Sequence, residues 1–183
     1  MSRWPFFVSL LWVPVAATAA EVPVDRQAML IARVLSYDAN QPARVADGLK
    51  ALVLHDASDP SSLTLARDIS KVLESTTVSG VAIVARSASY SSASALESLV
   101  GRDTFDFIYV CDGLEGAIPS IVSVANKLRV PTFAGRSKYV ELGVAVGIVP
   151  DAKKSRLVVH LAQAKSQGMM LSASVLGLAK VIR

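Results

Sequence analysis

The chain has 183 residues, more than half of them hydrophobic, with a formal charge of +4, two histidines and one cysteine. That length supports one substantial core. A lone cysteine excludes an internal disulfide framework, and basic residues scattered without interleaved aromatics do not argue for a nucleic-acid-binding surface.

The first twenty residues stand apart. Met1-Ser2-Arg3 is a short basic start, Trp4 to Val15 is an apolar run broken by Pro5 and Pro14, and Ala16-Ala17-Thr18-Ala19-Ala20 supplies small residues. These are the three regions of a secretory signal, with cleavage expected after Ala19 or Ala20. The apolar run is shorter than the roughly 20 residues that span a bilayer, and the cleavage site lacks the cysteine of a lipid anchor. The expectation is a signal peptide over 1–20 and one α/β domain over 21–183, exported and soluble.

In Asp25–Tyr37, Ala28, Ile31, Val34 and Leu35 recur at helical spacing. Asp38-Ala39-Asn40-Gln41-Pro42 ends that helix. Leu49–His55 is apolar enough for a strand inside a sheet. Asp59-Pro60 reads as an N-cap followed by proline at the first helical position, opening a helix through Leu73. A second strand, Val81–Ala85, leads through the serine-rich loop Ser87–Ser92 to a helix over Ala93–Val100. The third strand is Phe105–Cys111. Ile118–Leu128 is helical, and Val130–Gly135 is a fourth strand whose proline marks an edge or a strand beginning.

Val144–Val149 and Leu157–Leu161 flank the polar turn Pro150-Asp151-Ala152-Lys153-Lys154, a β-hairpin signal. A short helix from Ala162 stops at Gly168, and a last amphipathic helix is expected to run to the terminus. Strands alternating with helices predict an α/β fold: a mostly parallel sheet with helices on both faces, a C-terminal β-hairpin and terminal helices.

In such a sheet, ligands collect outside the carboxyl ends of the strands. Asp56, Ser58, Arg86, Asp112 and Arg136 fall at those ends and form the candidate ligand-binding set for a small molecule. Cys111 with His55 and Asp112 or Asp56 is a conceivable nucleophilic set. No G-x-S-x-G elbow accompanies it, and the thiol closes an apolar strand, so a buried cysteine is expected. His55 and His160 lack the close spacing of a zinc site. Neither phosphate-loop fingerprint is present. The residues therefore call for no enzyme, metal or cofactor. Apolar residues on the first and last helices, among them Met29, Leu30, Leu171, Val175, Leu176 and Leu178, are read as core packing, with an interaction surface as the alternative.

The C-terminal third carries a family resemblance. Val159-His160-Leu161 leads to the short helix Ala162-Gln163-Ala164-Lys165-Ser166-Gln167-Gly168. The serine-containing helix Leu171-Ser172-Ala173-Ser174-Val175-Leu176-Gly177-Leu178-Ala179-Lys180-Val181 follows. This ending, with an opening helix at Ala28-Met29-Leu30-Ile31, resembles the YfiR/HmsC-like family of exported regulatory proteins. The resemblance implies a periplasmic regulator that represses a membrane-bound diguanylate cyclase, in cyclic-di-GMP signalling, by binding its periplasmic sensor domain. Its partner would then be an inner-membrane signalling protein. Disulfide-based redox control is not carried over, because Cys111 stands alone. The repeated strand–helix units followed by Lys138-Tyr139-Val140-Glu141-Leu142-Gly143 also look like one lobe of a substrate-binding protein of an ABC transporter. That resemblance implies a single-lobe periplasmic small-ligand-binding protein as the alternative.

Overall fold

Leu49–His55 (β1) is buried at every position but Lys50, as a central strand covered on both faces must be. The computed structural model describes residues 21–40, 48–152 and 154–183. The expected signal peptide, the break at Gln41-Pro42 and the turn residue Lys153 lie outside them. The remaining strands are Thr77–Val78 (β2), Val81–Ser89 (β3), Phe107–Val110 (β4), Thr132–Ala134 (β5), Val146–Asp151 (β6), Lys154–His160 (β7) and Lys180–Ile182 (β8). The helices are Val24–Ser36 (α1), Pro60–Glu74 (α2), Ala93–Asp103 (α3), Ile118–Leu128 (α4), Ser137–Glu141 (α5), Leu161–Ser166 (α6) and Ala173–Leu178 (α7).

The strands form one sheet in the order β2-β3-β1-β4-β5-β6-β7-β8. β3, β1, β4, β5 and β6 run parallel, which agrees with the fold class expected. β2 and β7 are antiparallel to their neighbours β3 and β6, and β8 is parallel to β7. Alternation along the strands divides the core. Leu49, Ala51 and Val53 of β1 pack with Phe107 and Tyr109 of β4 under Ile31 and Leu35 of α1 and Ile69 and Leu73 of α2. Leu52, Leu54, Ile108 and Val110 face the other way, against Leu96 and Val100 of α3 and Ile121 and Val122 of α4. Phe107 and Phe133 meet edge to face, 5.6 Å between centroids, and join β4 to β5.

Local chemistry sets the helix ends. Asp59 caps α2 by accepting from the Ser61 N–H at 2.9 Å, with Pro60 next, as its sequence predicts. Ser92 caps α3 by accepting from the Ala95 N–H. Ser79 and Gly80, both at positive φ, turn β2 into β3.

The structure departs from the sequence reading in β3, at the hairpin turn and at the C-terminus, among other places. β3 runs on to Ser89 instead of ending at Ala85, because Arg86–Ser89 stay in register with Leu52–His55. Backbone pairing is indifferent to those polar side chains, and most of β3 is open to solvent. The hairpin turn is tighter than expected, since Asp151 already pairs with Lys154. The last helix ends at Leu178, and Lys180-Val181-Ile182 forms β8 along β7 in place of a helix to the terminus. A short β-branched run beside an open strand gains more from pairing than from one further helical turn. β5 agrees with one of the two expectations for its proline: it is an interior strand, buried throughout, and Pro131 stands just before its beginning.

Gly147 on β6 leaves the space that α5 needs: a Cβ there would lie 2.4 Å from Cγ2 of buried Val140. Val140 is β-branched and has little freedom to yield. Gly147→Ala is expected to destabilise the fold by about 1–3 kcal/mol, read as a lower urea midpoint with the slope unchanged. An unchanged midpoint would mean that α5 shifts freely.

Candidate functional site

Among the parallel strands, the order β3-β1-β4-β5-β6 reverses direction between β1 and β4, and that is where such sheets open a ligand crevice. Here the carboxyl ends of β1 and β4 are tied together. The Ser62 hydroxyl, fully buried in the first turn of α2, accepts from the Asp56 N–H at 3.0 Å and donates to the Asp112 carbonyl at 2.6 Å. Asp56 turns its carboxylate to its own loop, accepting from the Ser58 N–H at 2.8 Å and the Ser58 hydroxyl at 2.7 Å. Asp59 does the same with Ser61. Gly113, at φ 90°, closes against this loop; a Cβ on it would lie 3.1 Å from Asp59 Oδ2.

The Ser58 and Ser61 hydrogen bonds hold the Asp56 and Asp59 carboxyls below the ordinary 3.8. They favour the charged forms in the folded state. Their contribution to stability is therefore present above about pH 4 and is lost as pH falls through the lowered values.

Asp112 and Arg136, at the ends of β4 and β5, form an ion pair, and Arg136 also reaches Glu21 Oε1 at 3.2 Å. The hydrogen bond that Arg136 donates to the Asp112 carboxylate raises the guanidinium further above its already high value, so it stays charged. Beside this pair lies a cavity of about 390 Å³ lined by Glu21, Gln27, Tyr109, Asp112 and Arg136. The Tyr109 hydroxyl donates to Gln27 Oε1 at 2.6 Å, and Gln27 Nε2 donates to the Val22 carbonyl at 2.8 Å. Burial pushes the Tyr109 hydroxyl well above its usual range, so it remains a donor.

The five residues expected to share a crevice are thus distributed over three places. Asp112 and Arg136 meet at the cavity. Asp56 and Ser58 bind each other in the loop after β1. Arg86 sits in mid-strand opposite Leu52 and pairs with Asp103, near Lys50 and Phe105 at the other end of the sheet. Hydrogen bonding from Arg102, followed by the charges of Arg102 and Arg86, lowers the Asp103 carboxyl. Cys111 is buried, as expected, and burial pushes its thiol above the ordinary 9.0, so it stays protonated and a poor nucleophile. The His55 ring faces Ser87 Oγ at 3.1 Å. Tyr139 is also wholly buried and accepts from the Leu114 N–H, covering the core.

Ser62, Gln27 and Tyr109 were not singled out in the sequence. Gln27 did leave a signal there: it falls on the apolar face of α1 with Ala28, Ile31 and Val34, where an amide needs a buried partner. Ser62 looks like any serine of a helix start.

A model of the YfiR/HmsC-like family matches residues 25–180, nearly all of the described chain. The chain belongs to this family. Its members are periplasmic regulators in cyclic-di-GMP signalling. No curated protein matches the chain. Solved structures share the fold at low identity. A conserved domain protein from Vibrio cholerae is 18% identical with a TM-score of 0.65, over 88% of this chain and 60% of that one. An ABC domain in complex with L-Trp from Streptococcus pneumoniae is 19% identical with a TM-score of 0.65, over 87% and 60%. A substrate binding protein with adhesive properties from Clostridium difficile, ligand-free and open, is 11% identical with a TM-score of 0.60, over 79% and 57%. The chain therefore spans about three fifths of the length of these structures.

Ser62→Ala should cost about 1–3 kcal/mol, because it strands the Asp56 N–H and the Asp112 carbonyl; chemical denaturation measures it, and a neutral result would mean that the bridge is dispensable. Asp59→Asn should retain more of its stability than the parent as pH falls below about 4. Parallel acid limbs in the two proteins would contradict the assignment.

Proposed function

We propose that this chain represses a membrane-bound diguanylate cyclase by binding the cyclase's periplasmic sensor domain. The observation that carries the reading is the family match across 25–180, whose members regulate cyclic-di-GMP signalling in the periplasm. The site geometry supports it. The crevice at the switch point is filled by the protein's own hydrogen bonds, and the Cys111 thiol is buried and protonated. Such a protein acts through surface contacts. The amino-terminal signal peptide read in residues 1–20 would deliver it to the compartment where the sensor domain lies.

A second reading has its own observation. The cavity beside Asp112 and Arg136 opens at the carboxyl ends of the strands, and the fold is shared with substrate-binding proteins. At about 390 Å³ it falls within the range of small-ligand pockets. In this reading the chain is a single ligand-binding lobe, with Arg136 and Asp112 as contacts and Asp56, Ser58 and Arg86 outside the cavity.

Deleting the gene should raise cellular cyclic-di-GMP, and the exported chain, but not one lacking residues 1–20, should restore the low level. Unchanged cyclic-di-GMP after deletion would overturn the first reading. For the second, thermal denaturation against a panel of metabolites is the measurement. A true ligand at 100 times its dissociation constant stabilises by about 2.7 kcal/mol, and Arg136→Ala should abolish the gain.

A further inference from the structure

A surface formed by the first and last helices lies apart from the core, the closed crevice and the cavity beside Arg136. Of the apolar residues on the first and last helices, Val175 is buried, and Leu30, Leu171 and Leu176 pack against the core, whereas Met29 and Leu178 are exposed, Leu178 by 76%. Tyr37 and Val181 are also exposed. Tyr37 and Leu178 line a groove of about 180 Å³ between α1 and α7, with β7 as its floor. Leu30, Val34, Leu157, Val175 and Leu178 make its apolar walls, and Ser155 and Ser174 add hydroxyls. Exposed apolar clusters of this kind mark contact sites.

Two features define what fits. The groove is smaller than the pockets that hold free ligands, which run from roughly 300 to 1,000 Å³. It suits a single anchoring side chain of a protein partner, the usual form of an interface hot spot. Its one charged lining residue is Arg33, which makes no ion pair among the described residues, and no carboxylate lines the groove. The basic residues Lys154 and Arg156 alternate with Ser155 and Leu157 and so lie on the opposite face of β7, where Arg156 is held by Asp151. A groove face with a lone arginine lacks the cluster of roughly four to eight cations that recruits an anionic membrane.

We infer that the groove between α1 and α7 is the docking site for a protein partner, taking a large apolar side chain into the groove and pairing an adjacent Asp or Glu with Arg33. This rests on the reading of the chain as a regulator that acts by direct contact, and it names the surface and the chemistry of that contact. The anchor displaces water from the apolar walls, and the carboxylate finds a planar, permanently charged guanidinium at the rim.

The test uses the chain purified from the periplasm and labelled for NMR. It is titrated with acetyl-Leu-Glu-amide, acetyl-Leu-Lys-amide and acetyl-Ala-Glu-amide. The expected result is saturable shifts confined to α1, β7 and α7, with acetyl-Leu-Glu-amide bound about tenfold more tightly than either control and dissociation constants on the order of 1 mM. Arg33→Glu should reverse the preference toward the lysine peptide. Equal response to all three peptides, shifts elsewhere, or no saturable shift would overturn the inference. So would a dimer seen by sedimentation that Leu178→Asp dissolves, which would assign the groove to a second copy. Flotation with phosphatidylglycerol vesicles that Leu178→Asp abolishes would likewise assign it to lipid. In cells, Leu178→Asp, at an exposed position, should fold and accumulate yet lose repression. Full repression by that variant overturns the docking site and leaves the regulator reading intact. Selective peptide binding by a chain whose deletion leaves cyclic-di-GMP unchanged supports the groove and removes the regulator reading.

Discussion

The hydroxyl of Ser62 holds the two central strands together where the sheet changes direction. β1 and β4 each run out of backbone partners at their carboxyl ends, and one side-chain oxygen serves both, accepting from Asp56 and donating to Asp112. A buried donor or acceptor without a partner costs about 1–3 kcal/mol. The position of α2, the closed loop after β1 and the approach of Gly113 to Asp59 all follow from meeting that demand. In many α/β proteins the same point is left open for a ligand. Here it is filled from within.

That closure moves the functional question to the sides of the sheet. On the α1 and α2 side of the strand ends, Arg136 is shared by Asp112 and Glu21, and the segment at Glu21–Val24 lies along a cavity. Beside β7, α1 and α7 leave an apolar groove whose one charged lining residue is Arg33, without an ion pair among the described residues. α1 takes part in both. Its Gln27 belongs to the buried hydrogen-bond chain beside the cavity and its Arg33 to the groove, two turns apart on one helix.

Much of the fold was legible because strand and helix signals agree with burial. Leu49–His55 and Ile118–Leu128 were located to the residue, and Asp59-Pro60 announced the start of α2 through the geometry that its side chain and ring impose. The errors came where pairing partners decide the structure. Arg86–Ser89 carries no apolar pattern, yet extends β3 because β1 lies beside it. Val175, Leu176 and Leu178 carry a helical pattern, and it ends at Leu178 because β7 offers an edge to Lys180-Val181-Ile182. The site was legible only as a list. Asp112 and Arg136 do meet, but Arg86 was placed at a strand end that lies further on, and no local signal marks Ser62 as a bridge between strands.

The strand-end crevice is structural, and the proposed contact with a partner is made through α1 and α7. Hydrogen exchange on the chain, free and bound to the periplasmic sensor domain of the proposed diguanylate cyclase partner, tests this directly. Slower exchange on binding is expected in α1, β7 and α7, with the loops at Asp56–Ser62 and Asp112–Gly113 exchanging as in the free protein. Protection at those loops, with α1 and α7 unaffected, would contradict it.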